Sequence, residues 1–164
     1  MRLKSLIDED YVNYRKPSMF LGTCHCDWKC CRELGMPPSL CQNNSAYRSR
    51  TRDIDNARLV KRYLDNPLTS AVVIGGFEPM LQFDEVLSFL SEFRRQSDDD
   101  IVIYTGYREE ELAEQMHLLG KFKNVILKVG RYRPNEVPHY DEILGVMLAN
   151  SGQYAIRLIT SKPD

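Results

Sequence analysis

Three continuous apolar runs alternate with amphipathic segments in the middle of this chain. The runs are AVVIGG at 71–76, IVIYTGY at 101–107 and NVILKVG at 124–130. Runs of this kind are typical of parallel strands that are covered on both faces, because neither side of such a strand meets water. A shorter apolar run, SMFLGT at 18–23, predicts one more buried strand.

Segments with helical periodicity separate these runs, at 53–65, 80–95 and 108–122. Their expected buried positions are Ile54, Ala57, Val60 and Leu64 in the first, Phe83, Val86, Leu87, Leu90 and Phe93 in the second, and Leu112, Met116 and Leu119 in the third. Strands and helices that alternate across short connections predict right-handed βαβ units and a mainly parallel sheet, so the fold class is α/β. The stretches ILGVMLA and YAIRLIT in the less regular segment 131–164 fit either a strand or a helix.

Length and charge exclude several classes of protein. The 164 residues predict a single domain, residues 1–164. Lys and Arg number 22 against 23 Asp and Glu, a net charge of −1, which disfavours nucleic acid as a partner. No apolar run is long enough to span a membrane, and the start MRLKSLIDEDY has acids where a signal peptide needs apolar residues. We therefore expect a cytoplasmic protein without a membrane partner.

Five cysteines lie between residues 24 and 41, and the rest of the chain has none. They are Cys24, Cys26, Cys30, Cys31 and Cys41. An odd number of cysteines crowded into one loop, without an export signal, argues against a disulfide framework. Closely spaced thiols in a reducing compartment indicate a metal or an iron–sulfur cluster, and the loop 24–52 is the expected binding segment.

The spacing of these cysteines leaves three interpretations open. Cys26 and Cys30 form one pair of the kind that zinc sites use, but Cys41 has no second cysteine beside it. Three thiolates leave one position of a cluster open for another ligand, which favours iron–sulfur over structural zinc. Free thiols without a metal are the third interpretation. Cys24 and Cys31 are the expected spare thiols, with Cys31 kept as an alternative third ligand.

Two short motifs follow the second and third predicted strands. GGFEP at 75–79 places two glycines and an acid at a strand end, and YTGY at 104–107 does the same for Thr105 and Gly106. Ligands of parallel sheets bind at the carboxyl ends of the strands, so both motifs and the cysteine loop should meet at one edge. Each motif alone is a common turn.

The order of these motifs resembles the radical S-adenosylmethionine superfamily, and in particular the small activating proteins of anaerobic ribonucleotide reductase. The matching segments are CDWKC at 26–30, CQN at 41–43, GGFEP at 75–79, YTGYREEEL at 104–112, VGRY at 129–132 and LANSGQYAIRL at 148–158. Two departures accompany the resemblance. Ten residues separate Cys30 from Cys41 where the family has two, and Phe77 is an extra residue before the acid.

The resemblance implies a set of site residues and a fold. Cys26, Cys30 and Cys41 would bind a 4Fe–4S cluster. Gly75, Gly76 and Glu78 would hold the methionine part of S-adenosylmethionine, and Tyr104 and Thr105 would line the site. The implied fold is an abbreviated, open (β/α) partial barrel of mainly parallel strands.

The resemblance also implies an activity and partners. The reduced cluster would cleave S-adenosylmethionine to a 5′-deoxyadenosyl radical, which abstracts hydrogen from a substrate. A glycyl-radical enzyme such as anaerobic ribonucleotide reductase is the implied partner, with a reductant protein such as a flavodoxin as electron donor. A radical enzyme with a small-molecule, peptide or base substrate and a non-enzymatic zinc-binding module are the alternatives.

Overall fold

A mainly parallel six-stranded sheet forms the centre of the fold in the computed structural model, which describes residues 1–159. The strands are β1 (Arg2–Leu3), β2 (Ser5–Asp10), β3 (Ser18–Thr23), β4 (Arg52–Asp53), β5 (Ala71–Gly76), β6 (Asp100–Tyr104), β7 (Val125–Val129), β8 (His139–Asp141), β9 (Val146–Leu148) and β10 (Tyr154–Arg157). The α-helices are α1 (Lys29–Glu33), α2 (Asn56–Leu64), α3 (Phe83–Arg94) and α4 (Ala113–Leu119). Short 3-10 helices cover Pro38–Leu40, Asn44–Arg48, Pro79–Gln82 and Glu109–Glu111.

The order of strands in the sheet is β10-β7-β6-β5-β3-β2. The four inner strands, β3, β5, β6 and β7, run parallel, and β2 and β10 pair antiparallel at the two edges. Two small antiparallel sheets, β1 with β4 and β8 with β9, lie beside it. The sheet has two edge strands and does not close, so the predicted α/β fold, an open partial barrel of mainly parallel strands, is confirmed.

The four predicted inner strands are all present. β3 and β5 have the predicted bounds, whereas β6 ends at Tyr104 rather than at residue 107. The segment predicted as one helix at 108–122 is a 3-10 turn followed by α4. ILGVMLA and YAIRLIT contain the strands β9 and β10, which settles the choice between helix and strand. Residues 160–164, including the last residue of YAIRLIT, lie outside the described residues.

Two apolar layers cover the two faces of the sheet. The larger layer lies between the sheet and the helices α2, α3 and α4, and the smaller lies between the sheet and the segment that contains the β8–β9 hairpin. Burying these layers drives the chain to fold, since apolar area removed from water contributes about 25 cal/mol per Å². The smaller layer leaves room for a cavity at the carboxyl ends of the parallel strands.

The buried face of α2 differs from the prediction. Leu59, Val60 and Tyr63 are buried, while Ala57 and Leu64 are exposed. The reason is packing against α3, where the Tyr63 ring meets Phe93 with centroids 4.9 Å apart. The neighbouring helix α3 determines which face of α2 is buried. The spacing of apolar residues in the sequence of α2 does not show where that helix packs.

Candidate active site at the carboxyl ends of the parallel strands

One cavity of about 600 Å³ opens where the parallel strands end. Its lining includes residues from the cysteine loop, from both motifs, from β7 and from the β8–β9 hairpin. Among the predicted site residues, the cavity is lined by Cys26, Cys30, Cys41, Gly76, Glu78, Tyr104 and Thr105. These residues meet because parallel strands place their carboxyl ends at the same edge of the sheet, which is where the cavity lies.

The structure brings the three predicted ligand cysteines to this cavity. Cys26 precedes α1, Cys30 lies within α1, and Cys41 follows the 3-10 helix Pro38–Leu40, so the ten-residue connection from Cys30 to Cys41 returns to the site. All three side chains are partly buried free thiols. The longer spacing is therefore compatible with a common site.

The two remaining cysteines have different environments. Cys31 also lines the cavity and is 2% exposed, and this burial raises the pKa of its thiol. Cys24 faces Gln82 instead, with its Sγ 3.2 Å from Oε1 and its backbone N–H donating to the same oxygen at 2.9 Å. Cys24 is thus the cysteine that lies outside the cavity lining.

Burial favours the protonated form of Cys26 and Cys30 in the free chain. Desolvation raises the pKa of Cys26 to about 12, although its sulfur accepts a hydrogen bond from the Trp28 N–H at 3.3 Å. Desolvation also raises the pKa of Cys30. Metal binding requires thiolates, and a bound cation supplies the opposite charge that stabilises them, so ligation would release protons here.

Glu78 is a carboxylate in a buried position. It is 5% exposed, and its oxygens accept hydrogen bonds from Thr105 Oγ1 at 2.6 Å, Gly106 N at 2.9 Å and Met80 N at 3.1 Å. Desolvation raises the pKa of Glu78, and the three hydrogen bonds act in the opposite direction. A carboxylate has about four acceptor sites, so these donors leave capacity for one further donor from the cavity.

The glycines of the motifs permit close approaches. Gly76 has φ +81°, and a Cβ there would lie 3.0 Å from Gly22 Cα, so the turn requires glycine. A Cβ at Gly106 would lie 2.8 Å from Cys30 Sγ. Gly75 lies just outside the lining, and its carbonyl accepts a hydrogen bond from Thr23 Oγ1 at 2.9 Å. The Gly76 carbonyl accepts one from the Asn43 side chain.

The predicted lining residues of β6 have defined partners. Tyr104 donates its hydroxyl hydrogen to the Asn13 carbonyl at 2.6 Å, which fixes the ring at the side of the cavity. Thr105 is buried and links Glu78 to the following turn, since its Oγ1 also accepts from the Tyr107 N–H at 3.0 Å. Both residues thus order the cavity wall.

Comparison with known families gives one match for this chain. Residues 18–143, about three quarters of the 164-residue chain, match the model of the 4Fe-4S single cluster domain. The chain belongs to this family. The domain is typical of radical S-adenosylmethionine activating enzymes. Neither the curated proteins nor the solved structures gave a significant match.

Two further findings concern this 4Fe-4S single cluster domain. Within residues 1–159, no group of three or more His, Cys, Asp or Glu side chains is arranged to hold a single metal ion. A cluster attaches its thiolates to different irons, so its ligand sulfurs surround a larger body than one ion. No helix in the described part of the chain is long and apolar enough to cross a membrane.

Lys128 is a site residue that the sequence analysis missed. It lies on β7, is 5% exposed and lines the cavity, with its Nζ 5.7 Å from the centre of the Tyr104 ring. Desolvation lowers its pKa to about 8. A single lysine inside the apolar run NVILKVG was a usable signal, because lysine is almost never fully buried without a partner.

Arg131 was missed as well, and it joins α1 to the ends of β6 and β7. Its guanidinium contacts Glu33 at 2.8 and 3.0 Å, Glu111 at 2.9 Å and the Gly106 carbonyl. Arg131 is 3% exposed. These contacts hold the helix that carries Cys30 against the turn of the second motif.

Proposed function

We propose that this chain is a radical S-adenosylmethionine enzyme whose 4Fe–4S cluster is bound by Cys26, Cys30 and Cys41. One observation carries the proposal: the three thiols line the same cavity as the buried carboxylate of Glu78. Thiolates are the preferred ligands of iron–sulfur clusters, and three of them leave one iron open to a further ligand.

The remaining lining residues fit S-adenosylmethionine as that ligand. A cavity of about 600 Å³ lies in the range of small-molecule sites. Glu78 offers an acceptor for an ammonium group, and Lys128 offers a cation for a carboxylate. The aromatic side chains of Phe20, Phe77 and Trp28 supply apolar wall.

Each of these side chains has a part in the proposed reaction. Glu78 orients the methionine amine and Lys128 its carboxylate, while the aromatic wall excludes water from the reacting groups. When bound, the cluster supplies the electron that cleaves the sulfonium of S-adenosylmethionine. No residue of the chain needs to act as a general base, because the substrate loses a hydrogen atom rather than a proton.

Anaerobic reconstitution with iron and sulfide tests this proposal. The wild-type chain should bind about four irons and absorb near 400 nm, and with dithionite it should convert S-adenosylmethionine to 5′-deoxyadenosine. We expect Cys41→Ala to lose the product, while Cys24→Ala, a matched change outside the cavity, retains it. Stoichiometric zinc without the absorbance, or normal cleavage by Cys41→Ala, would contradict the assignment.

We further propose that the substrate is a segment of a glycyl-radical enzyme such as anaerobic ribonucleotide reductase. Exposed apolar residues at the cavity support a macromolecular substrate, since Ile7, Val12 and Met147 line it and are 46%, 73% and 60% exposed. The five free thiols fit the reducing cytoplasm where such an enzyme works. A glycyl-radical signal in the partner, measured by electron paramagnetic resonance after anaerobic incubation, is the expected result. Product formation without that signal would favour another peptide, small-molecule or base substrate.

A further inference from the structure

Three arginines at the end of the cysteine loop, Arg48, Arg50 and Arg52, lie beside Lys4, and we call these four cations the basic strip. The three arginines are exposed. Among the described residues, none of the three takes part in an ion pair, unlike Arg2, which is bound by Glu85. Exposed cations that are not neutralised within the chain leave their charge available to a partner.

Backbone contacts hold the basic strip together. Lys4 Nζ donates to the Ser49 carbonyl at 2.8 Å and to the Tyr47 carbonyl, which places it against the backbone on both sides of Arg48. Arg52 pairs with Leu3 in the β1–β4 sheet, directly before Lys4. The strip therefore joins the residue that follows β1 to the end of the cysteine loop.

An aromatic contact path connects this surface to the cluster loop. Tyr47 is 57% exposed, lies under Lys4 and meets Trp28 and Phe77 with ring centroids 5.6 and 6.3 Å apart. Trp28 lies between Cys26 and Cys30 in sequence and also contacts Phe77 at 5.7 Å. Its backbone N–H donates to the sulfur of Cys26. The basic strip is thus joined to a proposed cluster ligand by packed rings and by the backbone of Trp28.

We propose that the basic strip, with Tyr47 at its centre, is the docking surface for an acidic one-electron carrier protein. The inference rests on the proposed function and adds where its reductant binds. A reduced carrier docked there would give up one electron to the oxidised cluster held by Cys26, and the contact between Tyr47 and Trp28 is the proposed route. The carrier is oxidised by one electron, and no covalent bond forms or breaks.

One observation favours an acidic protein over a nucleic acid. The exposed Asp53 lies next to Arg52, and the exposed Asp55 follows. A protein surface can place a cation opposite these acids, whereas a phosphate backbone carries charge of one sign only and would be repelled at this end of the strip. Electron-transfer encounters bury small areas and depend on complementary charge, which a strip of four cations provides.

Binding of oxidised flavodoxin measures the docking step without any reaction. We expect Arg48→Gln/Arg50→Gln to weaken the wild-type affinity about tenfold at low salt, because rim charges steer such complexes. Salt at about 0.5 M should abolish the difference by screening. Lys121→Gln/Lys123→Gln, the same charge change at the amino end of β7, should bind like wild type. Equal binding by both double variants, or tighter binding of single-stranded RNA than of flavodoxin, would overturn the proposal.

Reduction kinetics test the aromatic path. Bleaching of the reconstituted cluster by reduced flavodoxin should be roughly tenfold slower in Tyr47→Leu and restored in Tyr47→Phe, whereas bleaching by dithionite should be equal in all three proteins. The cluster could form and cleave S-adenosylmethionine with dithionite while the rate of bleaching by flavodoxin stays the same in all three proteins. That result would contradict the docking surface and leave the proposed function intact. Failure of the cluster to form would contradict the proposed function. The binding of oxidised flavodoxin would still test the basic strip as a docking surface.

Discussion

Glu78 shows how a single residue defines the chemistry of the cavity. Three donors hold its carboxylate, and burial removes competing water. The backbone supplies two of those donors, at Met80 and Gly106, so the position of the carboxylate is set by the turns on both sides of it. A buried anion that is fixed in this way suits recognition of one cation rather than proton transfer.

Glu78→Gln tests this role. The amide keeps the shape but loses the negative charge and presents N–H groups toward existing donors, so we expect S-adenosylmethionine to bind about 10–100-fold more weakly. Iron content should stay at the wild-type value, because Glu78 is not a proposed ligand. Glu85→Gln, at a partly exposed acid paired with Arg2, is the control. If calorimetry shows that Glu78→Gln binds S-adenosylmethionine as tightly as wild type, Glu78 is not part of the ligand site.

At the scale of elements, ion pairs hold α1 in place, although the helix has only five residues. Lys29 pairs with Glu111, while Arg131 binds both Glu33 and Glu111. Burial of Glu111 would raise its pKa, but the hydrogen bonds from Arg131 and its neighbours outweigh this and lower the pKa to about 2. The short helix depends on these contacts, because it cannot be stable by itself.

Arg131→Met should therefore loosen the helix that carries Cys30. We expect a loss of about 1–3 kcal/mol in the free energy of unfolding, moderated by the partial exposure of both glutamates. Urea denaturation followed by circular dichroism measures it. Arg133→Met, which removes a more exposed arginine paired with Glu136, should cost less than about 0.5 kcal/mol. Equal stabilities of the two variants would show that the Arg131 contacts do not support α1.

At the scale of the whole molecule, Asp100 ties the sheet to the N-terminal segment. Its carboxylate accepts hydrogen bonds from Lys16 Nζ at 2.6 Å and Tyr14 Oη at 2.8 Å, and Arg157 on β10 lies 3.9 Å away. Burial alone would raise the pKa of Asp100, but these partners outweigh it and hold the pKa below its ordinary value. The contacts bridge three parts of the chain that are far apart in sequence.

This lowered pKa predicts a dependence of stability on acid. The contribution of Asp100 is complete above the ordinary pKa of about 3.9 and is lost as the pH falls through the lower folded value. Asp100→Asn should be less stable than wild type at pH 7, and the difference should shrink below about pH 4. Thermal unfolding of both proteins, followed from pH 7 to below about pH 4, measures this difference in stability. A difference that stays constant with pH would show that the charge of Asp100 does not contribute.

The sequence by itself determined the inner strands and the α/β class, and it predicted the three cysteines that we propose as ligands. Each of these signals is local: continuous apolar runs mark covered strands, and closely spaced cysteines without disulfide partners indicate a cluster. GGFEP could also be found in the sequence, because two glycines and an acid follow a continuous apolar run, and the structure shows that Gly76 has a positive φ. The edge strand β2 was not predicted, since its sequence SLIDED mixes acids with few apolar residues.

Only the tertiary structure decided which residues meet. Lys128 and Arg131 reach the cysteine loop across about a hundred residues of chain, and Tyr47, Trp28 and Phe77 come from three separate segments. Sequence periodicity reports the burial of a position but not its partner. The partner is set by strand order, because parallel strands bring distant carboxyl ends to one edge of the sheet. The cysteines were therefore readable from the sequence, whereas the cavity they share with Glu78 and Lys128 is a product of the fold.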